Sequence, residues 1–378
     1  MRRRYRRSSK RPALRPADAP RTAECDTDKR NVMDNHLNGR VRARSLGVVV
    51  GASPTGPLNA ITDVEGVLVG HTTIDDGADL HSGVTAVVPR QLIAERRTLP
   101  AAVYAGNGYG KLVGSTQVDE LGVLESPVVL TATLSVFRAA DALLTYLMGR
   151  RPDGISFNPL VGETNDGFLS DIRRRPVTER HVLDALEGAS GGLPGEGCVG
   201  AGTGTTALGF KAGIGTSSRR QAVDGAPVTV GALVQANFGG VLTVRGVPMP
   251  VGELIPGARH HEQAGGSCMI VVATDAPLDA RRLGRLARRA IFAMGRVGAS
   301  YSHGSGDYAI AFTTAPPQFP PLPDEALNPV FAAVADAAEE ALLNSLFTAT
   351  TTTGFRGRTS HAVPYDRLLG ADGRTTSA

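Results

Sequence analysis

A Gly-Gly-Ser sequence that runs directly into an apolar segment most constrains how this chain folds. Residues 268–274 read Cys-Met-Ile-Val-Val-Ala-Thr, which predicts a buried strand. Glycine lets the backbone adopt strained conformations, and a strained Gly266–Ser267 bond would invite attack by the Ser267 hydroxyl on the preceding carbonyl. Hydrolysis of the resulting ester would leave Ser267 as a new N-terminus. The simpler interpretation is a glycine turn that leads into a buried strand.

The composition is typical of a globular protein with glycine-turned α/β structure. Of its residues, 42% are hydrophobic and 20% are charged. The length of 378 residues is enough for one large domain or two ordinary ones. No run reaches the roughly eighteen apolar residues of a membrane span, so no membrane partner is predicted. The three cysteines, Cys25, Cys198 and Cys268, suit neither a disulfide framework nor a zinc site, which favours a reducing cytoplasm.

Residues 1–40 are predicted to be a disordered basic tail, because Arg, Pro, Ser and Asp dominate them and they have little to bury. The tail carries the excess of positive charge, and it lacks the apolar segment of a secretory signal. A nucleic-acid arm is the alternative interpretation. Apart from Tyr5 no aromatic residue interleaves the charges, so a solvated extension without a nucleic-acid partner is predicted.

Periodicity predicts strands and helices along the rest of the chain. Strands are predicted at 59–71 with a turn at 65–66, and at 83–89, 127–133, 228–239, 268–274 and 308–313. Helices are predicted at 134–148, 178–187, 277–294 and 329–347. The third helix has an arginine-rich face that is expected to be solvated. Residues 104–111 are predicted to be a glycine-broken loop, and the chain after Gly354 to be irregular.

A polar segment at 159–171 is the first candidate for a substrate site. It is predicted to be a loop that presents Glu163, Asn165 or Asp166 to a substrate, or else an ordinary turn at 165–167. Asn237, at the end of a strong strand, is either an amide donor or a turn residue.

Two further segments are candidates for a phosphate or metal site. The glycine-rich residues 195–219 lack the Gly-Lys-Ser/Thr ending of a phosphate loop, so their amides either form an oxyanion hole or permit close backbone packing. His260 and His261 are adjacent rather than one helical turn apart, so no metal site is predicted there.

Together, the polar residues beside predicted strands supply the groups of a hydrolase. Ser267 offers a nucleophile, Ser305 a second hydroxyl, Asp307 a carboxylate and Asn237 an amide donor. His303 is the one nearby histidine for a Ser-His-Asp relay. A serine at a new N-terminus needs no histidine, because its own amine serves as the base.

In this order the segments resemble the DmpA-type self-processing aminopeptidases, which include L-aminopeptidase/D-esterases and β-peptidyl aminopeptidases. The resemblance covers about residues 45–367. It rests on 59–70, Val-Gly-Glu-Thr-Asn-Asp-Gly at 161–167, 200–215, Val-Gln-Ala-Asn-Phe-Gly at 234–239, Gly-Ser at 266–267 with 271–278, and Gly-Ser-Gly-Asp at 304–307.

The resemblance implies an α/β (α+β) fold, a four-layer αββα sandwich similar to N-terminal nucleophile hydrolases but differently connected. It implies that residues 41–378 form one catalytic domain, self-cleaved into 1–266 and 267–378. It also implies homo-oligomers, no cofactor, and small peptide, amide or ester substrates from which an N-terminal residue is released.

The resemblance also implies roles for individual residues. Ser267 matches the nucleophile, Ser305 and Asp307 match a serine and an acidic residue that hydrogen-bond near it, and Asn237 matches the oxyanion asparagine. The acidic residue is often Glu in β-peptide-cleaving members, so Asp307 leaves that subtype open.

Three residues are predicted to bind substrate. Phe168 stands where some members have a tyrosine, and Phe137 replaces a glycine and would narrow the pocket. Asn165 belongs to the matching polar segment.

The sequence therefore predicts a cytoplasmic aminopeptidase or amidase that forms an acyl-enzyme on Ser267. One alternative is a hydrolase of non-peptide amide oligomers, or an acyltransferase on the same fold. A non-catalytic binding relative is another, which an intact chain that forms no acyl-enzyme with a reactive ester would favour.

Overall fold

The computed structural model describes residues 39–94, 98–258 and 266–368. The strands are β1 (Val67–Asp75), β2 (His81–Pro89), β3 (Leu99–Gly108), β4 (Val123–Leu124), β5 (Val128–Ala132), β6 (Leu160–Thr164), β7 (Thr206–Ala207), β8 (Phe210–Lys211), β9 (Ile214–Val223), β10 (Ala226–Asn237), β11 (Thr243–Val244), β12 (Val247–Pro248), β13 (Ser267–Thr274), β14 (Gly306–Thr313), β15 (Thr352–Gly354) and β16 (Arg358–Ser360). The helices are α1 (Arg90–Ala94), α2 (Ser115–Leu121), α3 (Val136–Arg150), α4 (Glu179–Glu187), α5 (Val251–Leu254), α6 (Ala280–Arg296), α7 (Asn328–Phe347) and α8 (Tyr365–Leu368). The predicted basic tail, except for its last two residues, and the pair His260–His261 lie outside the described residues.

Two sheets form the centre of the molecule. One has the strand order β1-β2-β5-β6 and is antiparallel except between β5 and β6. The other has the order β4-β3-β14-β13-β10-β9 and is antiparallel except between β13 and β14. Three further two-stranded sheets, β7-β8, β11-β12 and β15-β16, are not hydrogen-bonded to either of these sheets as strands.

Three apolar clusters show how the sheets and helices are layered. Along β13, Cys268, Ile270 and Val272 pack with α6 and α7, whereas Met269 and Val271 belong to the cluster between the two sheets. A third cluster joins the four-stranded sheet to α3 and α4. A strand covered on both faces reads as a continuous apolar run, which is what the sequence of β13 shows. The layers are therefore helix, sheet, sheet, helix, and the predicted αββα sandwich is confirmed.

The predicted helices form, with shifted ends. The helix expected from residue 277 begins at Ala280, because the Asp279 carboxylate accepts the Arg282 backbone N–H at 2.8 Å and caps the first turn. The helix expected from residue 134 begins at Val136, after a 3-10 turn at Thr133–Ser135.

Several segments differ from their predicted local structure, because side-chain capping or strand pairing decides them. Residues 61–63 form a 3-10 turn rather than a strand, since the Asp63 carboxylate accepts the backbone N–H groups of Leu58 and Ala60. The expected loop at 104–111 is strand up to Gly108, where it pairs with β14. The expected loop at 159–171 begins with the buried strand β6, and the chain after Gly354 forms β16 and α8.

The arginine-rich face of α6 is not simply solvated. Arg281, Arg282 and Arg285 form ion pairs with Asp324, and the Arg289 guanidinium lies over the Phe331 ring of α7 at 3.5 Å. These contacts fasten α6 to the segment that leads into α7. None of the described helices is both long and apolar enough to span a membrane.

Candidate active site

Ser267 is the first residue of the central strand β13, and its side chain is buried. It lies opposite Asn237 in the antiparallel pairing with β10 and opposite Gly306 in the parallel pairing with β14. The ends of three strands therefore meet at this serine, and the predicted residues Asn237, Ser305 and Asp307 come together around it.

Glycines allow the strands to approach Ser267 closely. A Cβ atom on Gly306 would lie 2.4 Å from the Gly110 backbone and 3.4 Å from Ser267 Oγ. Gly306 also donates its backbone N–H to the Gly266 carbonyl oxygen at 3.0 Å. Gly266 does not adopt a left-handed conformation, so the strain expected of the glycine pair is not found at this residue, and Gly265 lies outside the described residues.

Asn237 ends β10 with its side chain buried. Its carboxamide oxygen accepts the backbone N–H of Thr206 at 3.1 Å, which fixes the amide so that its NH2 group faces away from Thr206. Thr206 belongs to the glycine-rich segment whose amides were expected to form an oxyanion hole or to pack closely. The segment thus orients the amide donor, a role that sequence reasoning missed because it depends on the folding of β7 against β10.

Ser305 and Asp307 form a buried hydrogen bond, in which Ser305 Oγ donates to Asp307 Oδ1 at 2.8 Å. Burial raises the pKa of Asp307 to about 6, although the Ser305 hydroxyl and the Cys268 backbone N–H act in the opposite direction. Asp307 Oδ2 has no hydrogen-bond partner among the described residues. A Cβ on Gly266 would lie 3.4 Å from Ser305 Oγ, so the Ser305 hydroxyl is next to the Gly266–Ser267 bond.

Glu163 lies near the end of β6, with Gly110 between it and β14. A Cβ on Gly110 would lie 3.2 Å from Glu163 Oε1 and 3.1 Å from the Gly306 Cα atom. Glu163 Oε1 accepts the Lys111 backbone N–H at 2.9 Å, whereas Oε2 is buried and has no hydrogen-bond partner in the described ranges. Glu163 is one of the candidates that the polar segment supplies, and Lys111 is the last residue of the predicted loop at 104–111.

The rest of the polar segment forms a turn. Asn165 Oδ1 accepts the Gly167 backbone N–H at 2.9 Å, which is the expected turn interaction. Asp166 is buried, and burial raises its pKa to about 7, whereas a hydrogen bond from Ser82 acts to lower it. Asn165 therefore stabilises the turn, and substrate contact by Asn165 or Asp166 stays a prediction.

A cavity of about 270 Å³ lies next to Phe238, which follows Asn237 in the chain, and Thr206, which is hydrogen-bonded to Asn237. Its walls come from Phe168, Thr206, Gly209, Phe238, Gly239, Gly257, Ala258, Thr359, Ser360 and His361. Phe168 therefore lines a cavity adjacent to Asn237. Phe137 is 66% exposed on the first turn of α3 and does not line this cavity.

The two remaining questions about the site concern His303 and a metal ion. His303 is exposed in the loop before Ser305. Within residues 39–94, 98–258 and 266–368, no group of three or more His, Cys, Asp or Glu residues is placed to hold a metal ion.

Comparison with known proteins identifies the family. Peptidase family S58 matches residues 59–360. The β-peptidyl aminopeptidase BapA of Sphingosinicella microcystinivorans is 39% identical over 364 residues, which cover 86% of this chain and 90% of that protein.

Two solved structures have the same fold. The PH0078 protein of Pyrococcus horikoshii OT3 superposes with a TM-score of 0.82 at 41% identity, covering 87% of this chain and 98% of that one. The L-aminopeptidase D-Ala-esterase/amidase of Ochrobactrum anthropi, described as a prototype serine aminopeptidase with a variant of the Ntn hydrolase fold, superposes with a TM-score of 0.80 at 36% identity, covering 89% and 99%. The chain therefore belongs to peptidase family S58 and is an aminopeptidase with an Ntn-hydrolase type of fold.

Proposed function

We propose that this aminopeptidase cleaves its own chain between Gly266 and Ser267 and then uses Ser267 as an N-terminal nucleophile. The observation that carries the proposal is the strand register, which sets Ser267 between Asn237 and Gly306. A nucleophile, an amide donor and a hydrogen-bonded Ser–Asp pair thus occupy one strand end.

Self-cleavage begins with attack of Ser267 Oγ on the Gly266 carbonyl carbon. Negative charge then develops on the Gly266 oxygen, which accepts the Gly306 N–H at 3.0 Å and is stabilised by it. The peptide C–N bond breaks, an ester forms, and the nitrogen of Ser267 takes a proton. Water hydrolyses the ester and leaves Gly266 with a carboxylate and Ser267 with a free amine.

The mature site acts on a substrate in the same way. The Ser267 amine accepts the hydroxyl proton as Oγ attacks the scissile carbonyl. The Asn237 NH2 group and the Gly306 N–H, which cleavage releases from Gly266, stabilise the oxyanion. Ser305 and Asp307 hold the amine in place, and water then hydrolyses the acyl-enzyme.

Glu163 makes the enzyme require a substrate with a free N-terminal amine. Its Oε2 is a buried acceptor without a partner among the described residues, and the closely packed Gly110 and Gly306 lie between this carboxylate and Ser267. A substrate ammonium group would satisfy this oxygen, and charge-assisted hydrogen bonds of this kind are strong. Short peptides, amides and esters with a free amine are therefore the proposed substrates, with Asn165 and Phe168 as surrounding residues.

The proposal extends to cellular context. Cys198 and Cys268 are free thiols, which supports a reducing cytoplasm. A homo-oligomer without a cofactor is proposed from the family resemblance.

Intact-mass analysis of the purified protein beside a Ser267→Ala variant tests the proposal. Two pieces meeting between Gly266 and Ser267 are expected for the wild type, and a single chain for the variant. Hydrolysis of an amino-acid p-nitroanilide should accompany cleavage and be absent from the variant. An uncut wild-type chain that hydrolyses the substrate would refute the N-terminal amine as base, and an inactive one would favour the non-catalytic alternative.

A further inference from the structure

Two opposite charges lie side by side next to Gly110, the glycine that packs against Gly306 near Ser267. The Lys111 ammonium group is 3.6 Å from Glu163 Oε1 and donates to Thr133 Oγ1 at 2.9 Å. The Lys111 side chain is 41% exposed and that of Glu163 only 2%. The pair thus combines a buried acceptor with a partly exposed cation.

The hydrogen bonding of this pair is incomplete on both sides. Both contacts of Lys111 with Glu163 use Oε1, while the buried Oε2 has no hydrogen-bond partner in the described part of the chain. Leaving a buried carboxylate oxygen unpaired costs free energy, so a donor is expected to complete it when substrate binds. An ammonium group has three donors, and Thr133 and Glu163 leave Lys111 with capacity for a further acceptor.

We propose that Lys111 makes the enzyme select N-terminal residues that carry a carboxylate beside the amine, as β-aspartyl peptides and amides do. This inference rests on the function proposed above. In a β-aspartyl residue the ammonium and carboxylate groups share one carbon, and the scissile carbonyl lies one methylene group away. The ammonium donates to Glu163 Oε2, the carboxylate accepts from Lys111 Nζ, and the side-chain carbonyl faces Ser267.

The reaction is an ordinary hydrolysis. Ser267 Oγ forms an ester with the β-carbonyl carbon while the amide C–N bond breaks and the leaving nitrogen takes the serine proton. Water then cleaves the ester, so that one amide and one water give free aspartate and an amine.

Other N-terminal residues fit this pair of charges less well. A β-alanyl residue satisfies Glu163 and leaves Lys111 without an acceptor. A residue with a second cation beside its amine places that charge against Lys111.

The test compares kcat/KM for the β-p-nitroanilide of aspartate with that for β-alanine p-nitroanilide, which lacks only the carboxylate. The wild type is expected to prefer the aspartyl substrate about tenfold, the typical effect of one charge-assisted hydrogen bond. Lys111→Met should bring this ratio to about one, Lys111→Glu should reverse it, and Lys111→Arg should retain most of it. Arg180→Met, which removes an exposed cation from α4, should leave the ratio unchanged.

Each outcome of this test either supports or overturns the role of Lys111. A preference that follows the charge at residue 111 supports the inference. Hydrolysis of both substrates with a ratio indifferent to residue 111 overturns it and leaves the proposed aminopeptidase intact. A folded wild-type enzyme that hydrolyses neither substrate nor any other amino-acid p-nitroanilide overturns both.

Discussion

Asp307 is the group whose ionisation the self-cleavage reaction should report. Before cleavage Ser267 has no free amine, and we expect Asp307 to act as the base through Ser305, whose Oγ donates to it. Burial raises its pKa to about 6, so the carboxylate is ionised above that pH and protonated below it. A protonated Asp307 cannot draw a proton from Ser305, and processing should therefore slow in acid.

Self-cleavage of precursor refolded from urea should accelerate about tenfold per pH unit up to pH 6 and then level off. The rate is measured from the cut fraction on denaturing gels between pH 4.5 and 8. Asp307→Asn should slow processing roughly 100-fold and remove the inflection. Asp324→Asn, on the exposed aspartate that pairs with α6, is the control and should keep the wild-type profile. An Asp307→Asn profile that still bends near pH 6 would rule out this assignment.

At the scale of residues, the motifs indicated which polar side chains lie around Ser267 but not which residues orient them. Asn237, Ser305 and Asp307 stand in recognisable motifs, and the fold brings all three to Ser267. Thr206 has no such motif. It acts through a backbone N–H on Asn237, and this contact exists only after β7 and β10 have met.

Helix α7 carries Glu340, which forms a buried ion pair with Arg219 of β9. Glu340 and Arg219 are both 0% exposed, and Arg219 Nη2 lies 2.6 Å from Glu340 Oε2. Asn59 and Arg44 bind the other carboxylate oxygen. Burial lowers the pKa of Arg219, while the Glu340 carboxylate acts in the opposite direction. Removing one partner therefore leaves a buried charge without its counter-ion.

Glu340→Ala should lower the free energy of unfolding by about 3–5 kcal/mol. Urea unfolding measures this best in the Ser267→Ala background, where the chain is expected to remain in one piece. The control is Asp184→Ala, which breaks the exposed pair with Arg180 and should cost less than about 1 kcal/mol. The double variant Arg219→Met, Glu340→Leu should lose less stability than Glu340→Ala alone. Equal losses in Glu340→Ala and Asp184→Ala would contradict this account.

At the scale of elements, periodicity identified the long helices and the apolar strands because their patterns are local. It assigned residues 61–63 and 104–108 wrongly, since a carboxylate cap decides the first and pairing with β14 decides the second. Glu340 illustrates the same limit, because a single sequence gives no sign that Arg219 will lie opposite it.

For the whole molecule, the proposed cleavage site lies inside the hydrogen-bonded structure rather than between separate bodies. The proposed second piece begins with β13, which pairs along its full length with β10 of the first piece. Its strand β14 pairs with β3, also of the first piece. The αββα layering was predictable from family resemblance, but the sequence alone did not reveal this interleaving of strands.

The two pieces, 266 and 112 residues long if the chain of 378 is cut after Gly266, should therefore remain one folded unit. Native size-exclusion chromatography is expected to elute both together, and mass spectrometry of the peak should find them in equal amounts. The reason is that separation would expose the β13 edge that pairs with β10, the β14 edge that pairs with β3, and the apolar faces of α6 and α7, an interface of the obligate, hydrophobic kind. Unfolding of the cut protein should depend more steeply on protein concentration than that of the uncut Ser267→Ala variant in the same oligomeric state, because each cut protomer releases two chains instead of one. Elution of the smaller piece by itself in native buffer would show that the strands do not hold the pieces together.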